Sequence, residues 1–110
     1  MRATFAYIWE YMVEDDQVAE FQRIYGPEGE WVDLFSKEDG YIRTDLYRDL
    51  ENPQRFVTTD FWVSRAAKDQ HRESFASEFA ELDRHCEALT LEEKFLGDFE
   101  LVVPKSGAGA

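Results

Sequence analysis

The stretch YIRTDLYRDLENPQRFVTTDFWV, residues 41–63, contains two segments rich in apolar residues, separated by a short polar one. Its two ends, 41–50 and 55–63, are rich in β-branched and aromatic residues, which is typical of strands. The Glu51-Asn52-Pro53 segment between them is a turn signal. Since a connection this short joins neighbouring antiparallel strands, the sequence predicts a hairpin made of the second and third strands of a sheet.

On the N-terminal side of this hairpin, the sequence predicts a strand and two helices. Residues 3–13 (ATFAYIWEYMV) are apolar and aromatic with little interruption, as in a strand buried on both faces. Asp15 or Asp16 is placed to cap the first helix, and the glycine-proline pair at 26–27 ends it. A short second helix is expected over 28–37. Its predicted inward side chains are Trp31, Leu34 and Phe35.

On the C-terminal side, Ser64 is placed to cap a long helix over 65–89. The predicted apolar stripe of this helix consists of Phe75, Phe79, Leu82, Cys86 and Leu89. A last strand is expected over 92–103, and Pro104 ends it. The order β-α-β-β-α-β predicts a ferredoxin-like α+β domain over residues 1–103, with an antiparallel sheet and both helices on one face. Residues 104–110 (PKSGAGA) are predicted to be a flexible tail.

The aromatic content adds an expectation about assembly. The 110 residues include nine Phe, five Tyr and three Trp, and a domain of this size buries only about two thirds of its unfolded surface. The first and third strands are apolar on both faces, and we expect Tyr7, Trp9 and Tyr11 to serve the sheet or its dimer interface. The sequence therefore predicts a homodimer in which the sheet faces of two copies pack together.

The charge balance excludes several classes of partner. With 24 acidic and 12 basic residues the formal net charge is −12, which argues against nucleic acid and against anionic membranes. The single cysteine, Cys86, and the lack of any Cys/His metal spacing predict neither a disulfide nor a metal site. Because no signal peptide or membrane-spanning run is recognisable, we expect a cytoplasmic protein.

The junction of the third strand and the following helix carries a resemblance to a known family. A strand-terminal Trp62, the cap Ser64, an Ala pair, His71 and then Ser74 resemble the antibiotic biosynthesis monooxygenase family of the dimeric α+β barrel superfamily. Three further segments are similar to one branch of that family, YGPEGEW (25–31), GYIRTDL (40–46) and CEALT (86–90) with LGDFE (96–100). The resemblance covers roughly residues 3 to 102 and implies the dimeric α+β barrel fold.

The resemblance also implies a chemistry that needs neither metal nor flavin. An electron-rich phenol or hydroquinone is deprotonated in a cavity between helices and sheet, and its anion reduces O2 by one electron. The two radicals then recombine to a peroxide, which collapses to a quinone. The implied partners are thus a small aromatic substrate and O2, with no cofactor. Haem degradation, which some relatives perform, is not expected because the first strand has no Asn.

His71 and Asp60 are the candidate catalytic residues. On a helical wheel His71 lies about 40° from Phe75, inside the apolar stripe, so its ring is expected to face the sheet near Thr59 or Asp60. If Asp60 points to the same side, the pair would raise the basicity of the imidazole. Two plainer interpretations stay open. His71 is a hydrogen-bonded core residue, or Asp60 forms a structural pair with an arginine.

Five aromatic residues are candidates for binding a substrate. Trp62 shares a strand face with Asp60, and Phe75 belongs to the helical stripe. Three more lie around the predicted helix break, where a cavity mouth would form. These are Tyr25, Trp31 and Phe35. For all of them, packing in a core or in a satellite cluster is the alternative.

Three hypotheses of function follow. The first is a cofactor-independent monooxygenase acting on a phenolic or quinol-type molecule, with His71 assisting proton transfer. The second is a non-catalytic dimeric protein that binds a small molecule or serves assembly. The third is an isomerase or cyclase that uses the same cavity for proton transfer alone. An open pocket reaching His71 favours an enzyme, and a packed interior favours the second hypothesis.

Overall fold

The computed structural model describes residues 4–103, so the predicted tail at 104–110 lies outside the described residues. Four strands form one sheet in the order β2-β3-β1-β4, and every neighbouring pair is antiparallel. The strands are β1 (Phe5–Val13), β2 (Tyr41–Arg48), β3 (Arg55–Trp62) and β4 (Thr90–Glu100). The helices are α1 (Val18–Tyr25), α2 (Glu30–Phe35), α3 (Arg65–Ser74) and α4 (Ala76–Cys86). This confirms the predicted ferredoxin-like α+β fold.

The central hairpin forms as predicted, but its first strand ends at Arg48 instead of Leu50. The Asp49 carboxylate accepts hydrogen bonds from the backbone N–H groups of Glu51 and Asn52, at 2.8 and 3.3 Å. A side chain that bonds its own backbone two residues on starts a turn. Leu50 is left fully exposed beyond the strand.

The predicted helix over 65–89 is instead two helices and a 3-10 turn, Glu87–Leu89. Ser64 caps α3 as expected, since its hydroxyl accepts from the Ala67 N–H at 3.1 Å. The break falls at Phe75, whose backbone has φ −120° and ψ 31°. It allows the Phe75 ring to pack on His71, with centroids 4.9 Å apart, while Phe79 on α4 packs on Trp31 at the same distance. Tertiary contacts therefore override the continuous stripe.

The start of the first helix also differs from the prediction. Residues Asp15–Gln17 form a 3-10 turn, and α1 begins only at Val18 without a side-chain cap. At its other end, α1 meets α2 through Gly29, where a Cβ atom would collide with the carbonyl oxygen of Ile24. This close approach holds Tyr25 beside Trp31, with ring centroids 6.0 Å apart. Two of the candidate substrate-binding residues thereby become neighbours.

The two faces of the sheet are assigned by the strand register. Tyr7, Trp9 and Tyr11 lie opposite Asp60, Thr58 and Phe56, whose face packs under the helices. The β1 aromatics are therefore on the helix side of the sheet, so of the two roles that we expected for them, packing within the sheet fits this position and a place in the dimer interface does not. The outer face carries instead half-buried apolar side chains and ion pairs. Its members include Ile8, Met12, Val57, Phe61 and the pair Glu10–Arg55.

The dense part of the core lies at one end of this helix-side face. Val13, Phe21, Ile24 and Phe56 are almost completely buried there. The Phe21 ring stacks on Tyr25 with centroids 4.1 Å apart and contacts Phe56 at 5.0 Å. Packing of this kind fixes α1 on the sheet. A cavity lies next to this packed region, between the sheet and the helices.

Candidate functional site

An aromatic cavity of about 160 Å³ lies between the sheet and the helices. The floor comes from all four strands and the roof from all four helices. The floor residues are Tyr7, Trp9, Tyr11, Thr44, Thr58, Asp60 and Glu93. The roof residues are Tyr25, Trp31, Phe35, Arg72, Phe79 and Asp83. For comparison, a cavity of about 150 Å³ holds one benzene ring, so this space suits a single aromatic ring.

Asp60 is the buried acid of this cavity. Its side chain is on the helix side of β3, and the residue is only 5% exposed. The Thr44 hydroxyl donates a hydrogen bond to Oδ1 at 2.6 Å, and among residues 4–103 no side chain or backbone N–H bonds to Oδ2. Burial raises the pKa of Asp60 from 3.8 to about 7, and the Thr44 hydrogen bond offsets part of that rise. The carboxyl group can therefore gain or lose a proton near neutral pH.

Thr44 connects Asp60 to a third group. The Tyr41 hydroxyl lies 2.6 Å from Thr44 Oγ1. Because a threonine hydroxyl has one hydrogen, and that hydrogen is given to Asp60, the Tyr41 hydroxyl donates to Thr44. Burial raises the pKa of Tyr41 to about 12, so this donor stays protonated. The chain Tyr41–Thr44–Asp60 thus stabilises the carboxylate with two aligned hydroxyls.

Two buried phenols of the cavity, Tyr11 and Tyr25, also stay protonated. Burial raises the pKa of Tyr11 well above its usual range, and the same cause raises that of Tyr25. Thr58 is buried beside Tyr11, with 3.5 Å between the two hydroxyl oxygens. These groups can donate hydrogen bonds to a ligand without carrying charge themselves.

His71 lies on the predicted side of its helix but has a different hydrogen-bond partner from the one predicted. The residue is 1% exposed and faces the sheet, but its Nε2 lies 2.8 Å from the Leu34 carbonyl oxygen, not next to Asp60. A carbonyl can only accept, so Nε2 carries a hydrogen. The expected pair of His71 with Asp60 is therefore wrong. The void that His71 lines has a volume of about 10 Å³, too small for a ligand.

The candidate aromatic residues also fall into two groups, those that line the cavity and those that pack around His71. Tyr25, Trp31 and Phe35 line the cavity. Trp62 lies at the small void, 5.6 Å from the His71 ring, and Phe75 packs on the other side of that ring. Trp62 and Phe75 therefore form the wall behind Phe35 and have no place in the lining of the cavity.

Sequence reasoning missed more than half of the cavity lining. The missed residues are Tyr7, Trp9, Tyr11, Thr44, Thr58, Arg72, Phe79, Asp83 and Glu93. A signal was present for some of them, because β1 has aromatic residues at alternate positions and these share one face. Arg72, Asp83 and Glu93 gave no such signal, since each is an ordinary charged residue in its own segment.

Two further observations concern the part of the chain that the structure describes. Within residues 4–103, no three His, Cys, Asp or Glu side chains converge in a way that would hold a metal ion. Within the same range, none of the helices is both long and apolar enough to span a lipid bilayer.

Solved structures share this fold at low sequence identity. SnoaB of Streptomyces nogalater, a cofactor-independent oxygenase, superposes with a TM-score of 0.72 and 17% identity over 96% of this chain and 99% of that one. PA3566 of Pseudomonas aeruginosa gives a TM-score of 0.66 and 19% identity over 94% and 98% of the two chains. A conserved protein of Methanosarcina mazei gives 0.68 and 20% over 91% and 94%.

Comparison by sequence gives the family. No curated protein matches the chain significantly. The family model for antibiotic biosynthesis monooxygenases matches residues 4–88, most of the chain, and this range includes every element up to the end of α4. The resemblance noted at Trp62 to Ser74 is thereby confirmed, and the chain belongs to the antibiotic biosynthesis monooxygenase family.

Proposed function

We propose that this protein is a cofactor-independent monooxygenase that oxidises a phenolic or quinol-type ring with O2. The observation that supports it best is Asp60, a buried carboxyl with a pKa of about 7 in an aromatic-lined cavity. A general base works best when its pKa lies near the operating pH. Membership of the monooxygenase family and the likeness to the fold of an oxygenase support the same assignment.

The proposed reaction begins with proton transfer to Asp60. The phenolate that forms gives one electron to O2, and the resulting phenoxyl radical and superoxide combine at a hydrogen-bearing ring carbon ortho or para to the phenol oxygen. The peroxide then loses water: the O–O bond breaks, one oxygen stays as a quinone carbonyl, and the other leaves as water. The two hydrogens of that water come from the phenol O–H and from the C–H bond of the ring carbon that is oxygenated, so a phenol and O2 give a quinone and H2O.

In this proposal the aromatic walls bind the ring and exclude bulk water. Water exclusion matters because a phenoxyl–superoxide pair in solvent would separate before it combined. Trp9, Trp31 and Phe79 offer flat apolar faces, and the Trp31 and Phe79 ring centroids lie 4.9 Å apart. Thr44 holds the Asp60 carboxyl in place, and its hydroxyl favours the ionised form that accepts the proton.

His71 has a positioning role in the same proposal. Its hydrogen bond to the Leu34 carbonyl ties α3 to α2, and its ring packs on Phe35, which lines the cavity, with centroids 5.4 Å apart. The imidazole thereby fixes one wall of the cavity. Trp62 and Phe75 support that wall from behind.

A second copy of the chain is proposed to cover the outer face of the sheet. That face presents Ile8, Met12, Val57 and Phe61 as half-buried side chains and Phe99 as an exposed one. Apolar surface of this kind is stabilised when a symmetric partner removes it from water. Sedimentation that gives a stable species of about 13 kDa at micromolar concentration would contradict the dimer. A cytoplasmic location is part of the proposal as well.

The decisive experiment follows the oxygen atoms. A panel of phenols and hydroquinones is incubated with enzyme under 18O2, and the products are reduced at once to stop carbonyl exchange. One labelled oxygen atom in each product molecule, with one O2 consumed, supports a monooxygenase. Conversion of a substrate without O2 uptake would assign an isomerase or cyclase instead. Binding without conversion of any member would assign a binding protein.

A further inference from the structure

The charges that line the cavity are unbalanced. Three carboxyl groups, Asp60, Asp83 and Glu93, face one basic side chain, Arg72. Within residues 4–103, neither Asp83 nor Glu93 lies within 4.0 Å of a basic group. The pKa of Glu93 is raised by loss of hydration, then by the negative charges of Asp83 and Glu87. These carboxylates repel one another, and the protein itself does not neutralise them.

The one basic residue of the cavity is already engaged. The Arg72 guanidinium lies over the Phe79 ring, 3.7 Å from its centroid. At the neighbouring end of the cavity, the Lys68 ammonium lies 4.4 Å from the centroid of Tyr7 and 3.6 Å from Asp98 Oδ1. Two of the aromatic rings that line the cavity, Phe79 and Tyr7, are thus in contact with cations of the protein itself.

Neither of the two indole rings of the cavity has such a partner in the described part of the chain. Among residues 4–103, no Lys or Arg lies over Trp9 or Trp31, although both rings line the cavity. Indole is the ring that binds cations best, and aromatic cages of this composition recognise organic ammonium groups. Asp60 adds a carboxyl that is 95% buried with one oxygen unpaired.

From this combination we propose that the ligand of the cavity is a single-ring phenol that carries a protonated amine. This inference rests on the proposed function and names its substrate class. The ring matches the volume of about 160 Å³. The phenol hydroxyl faces the buried Asp60, and the ammonium group lies towards the exposed carboxylates of Asp83 and Glu93. An ammonium on the same molecule also offsets the cost of forming a phenolate among carboxylates.

Three probes that differ only in side-chain charge test the proposal. They are tyramine, 4-ethylphenol and 4-hydroxyphenylacetate, which carry an ammonium, a methyl and a carboxylate end. Calorimetric titration of the full chain should give a Kd for tyramine at least tenfold below that of 4-ethylphenol, with the carboxylate weakest. Equal affinities, a preference for the carboxylate, or no tyramine binding at millimolar concentration would overturn it.

A pair of double variants separates the cavity from the general field of an acidic protein. Asp83→Asn with Glu93→Gln should reduce the ratio of the Kd of 4-ethylphenol to that of tyramine to less than threefold. The Kd of 4-ethylphenol itself should change little. Asp15→Asn with Asp16→Asn changes the net charge by the same amount at exposed positions outside the cavity. This control variant should still bind tyramine at least tenfold more tightly than 4-ethylphenol. Equal losses in the two double variants would mean that the net charge of −12 alone attracts the cation.

The measurements also distinguish this inference from the proposed function. If tyramine binds preferentially and no phenol of any charge is oxidised, the proposed ligand class is supported and the monooxygenase assignment is contradicted. If neutral phenols are oxidised without any advantage for an ammonium-bearing one, the function stands and the ligand class is wrong. Titration needs no turnover, so each result is obtained independently of the other.

Discussion

Asp60 and His71 are both buried and titratable, and they differ in what surrounds them. Asp60 lies on β3 beside an open volume of about 160 Å³ and is bonded to a hydroxyl. His71 lies on α3 beside about 10 Å³ and is bonded to a main-chain carbonyl. The hydroxyl can respond when its partner gains or loses a proton, whereas the carbonyl only accepts. Burial alone therefore does not distinguish the two side chains; the unfilled space next to Asp60 is what makes it the proposed base.

The difference between Asp60 and His71 is tested most strongly by substitutions that remove the ionisable group of each side chain and keep its approximate shape. Asp60→Asn should lower the rate of phenol oxidation about a thousandfold, because the base is lost and the acceptor for Thr44 is kept. His71→Gln should stay within threefold of wild type, because its amide still donates to the Leu34 carbonyl. The rates are measured by oxygen uptake. Asp49→Asn, in the turn outside the cavity, serves as the matched control.

The reverse outcome would exchange the two roles. A large loss in His71→Gln together with a small loss in Asp60→Asn would make the imidazole the proton acceptor. The Asp60 carboxyl would then be a structural group that Thr44 stabilises.

The pH dependence of stability gives the next largest effect. The pKa of Asp60 is raised from 3.8 to about 7 in the folded state, so the folded protein binds this proton more tightly than the unfolded chain. The associated stabilisation is complete below about pH 4 and is lost as the pH rises to 7, by about 4 kcal/mol. Asp60→Asn has no ionisable group at this position and so lacks this pH-dependent contribution to the free energy of unfolding. The difference in unfolding free energy between the two proteins should therefore change over that window.

Urea denaturation at pH 4.5, 6 and 8 measures that difference. The other groups of the cavity, including Tyr7, Arg72 and Glu93, are common to both proteins and cancel in the comparison. A difference that stays constant from pH 4.5 to 8 would mean that Asp60 ionises in the folded state as it does in the unfolded chain.

His71→Ala should destabilise the fold by about 3 kcal/mol, since it removes a fully packed ring together with the hydrogen bond that the ring makes to the Leu34 carbonyl. The midpoint of urea unfolding at pH 8 measures the loss. His85→Ala, at an exposed position on α4, should change the stability by less than about 0.5 kcal/mol. A loss below about 1 kcal/mol in His71→Ala would contradict the packing role.

The fold was largely predictable because its signals are local. The turn at 51–53, the Ser64 cap and the run of β-branched and aromatic residues in β3 each depend on neighbouring residues alone. The break at Phe75 was not predictable in this way, because the 4-3-4-3 stripe continues through it. Only the contacts of Phe75 with His71 and of Phe79 with Trp31, which lie far away in sequence, favour two helices.

The site was less predictable because pairing between strands decides it. Asp60 was recognised as an acid in an apolar strand, but its partner Thr44 lies on β2, and only the register brings the two together. Similarly, the side of the sheet on which Tyr7 lies depends on its register opposite Asp60. A shift by one residue would have moved those aromatics to the outer face.

The smallest expected effect concerns Thr44, the residue that makes the surroundings of Asp60 polar. Thr44→Val keeps the shape and removes the hydroxyl that stabilises the ionised carboxyl, so the pKa of Asp60 should rise further. The pH at which oxidation reaches half its maximum should then move upward by about one pH unit, with the plateau rate at high pH nearly unchanged. A pH-rate profile of the two proteins measures the shift. An equal loss of rate at every pH would show instead that Thr44 acts on the shape of the cavity, and Asp60 would then resemble His71 as a group held for packing.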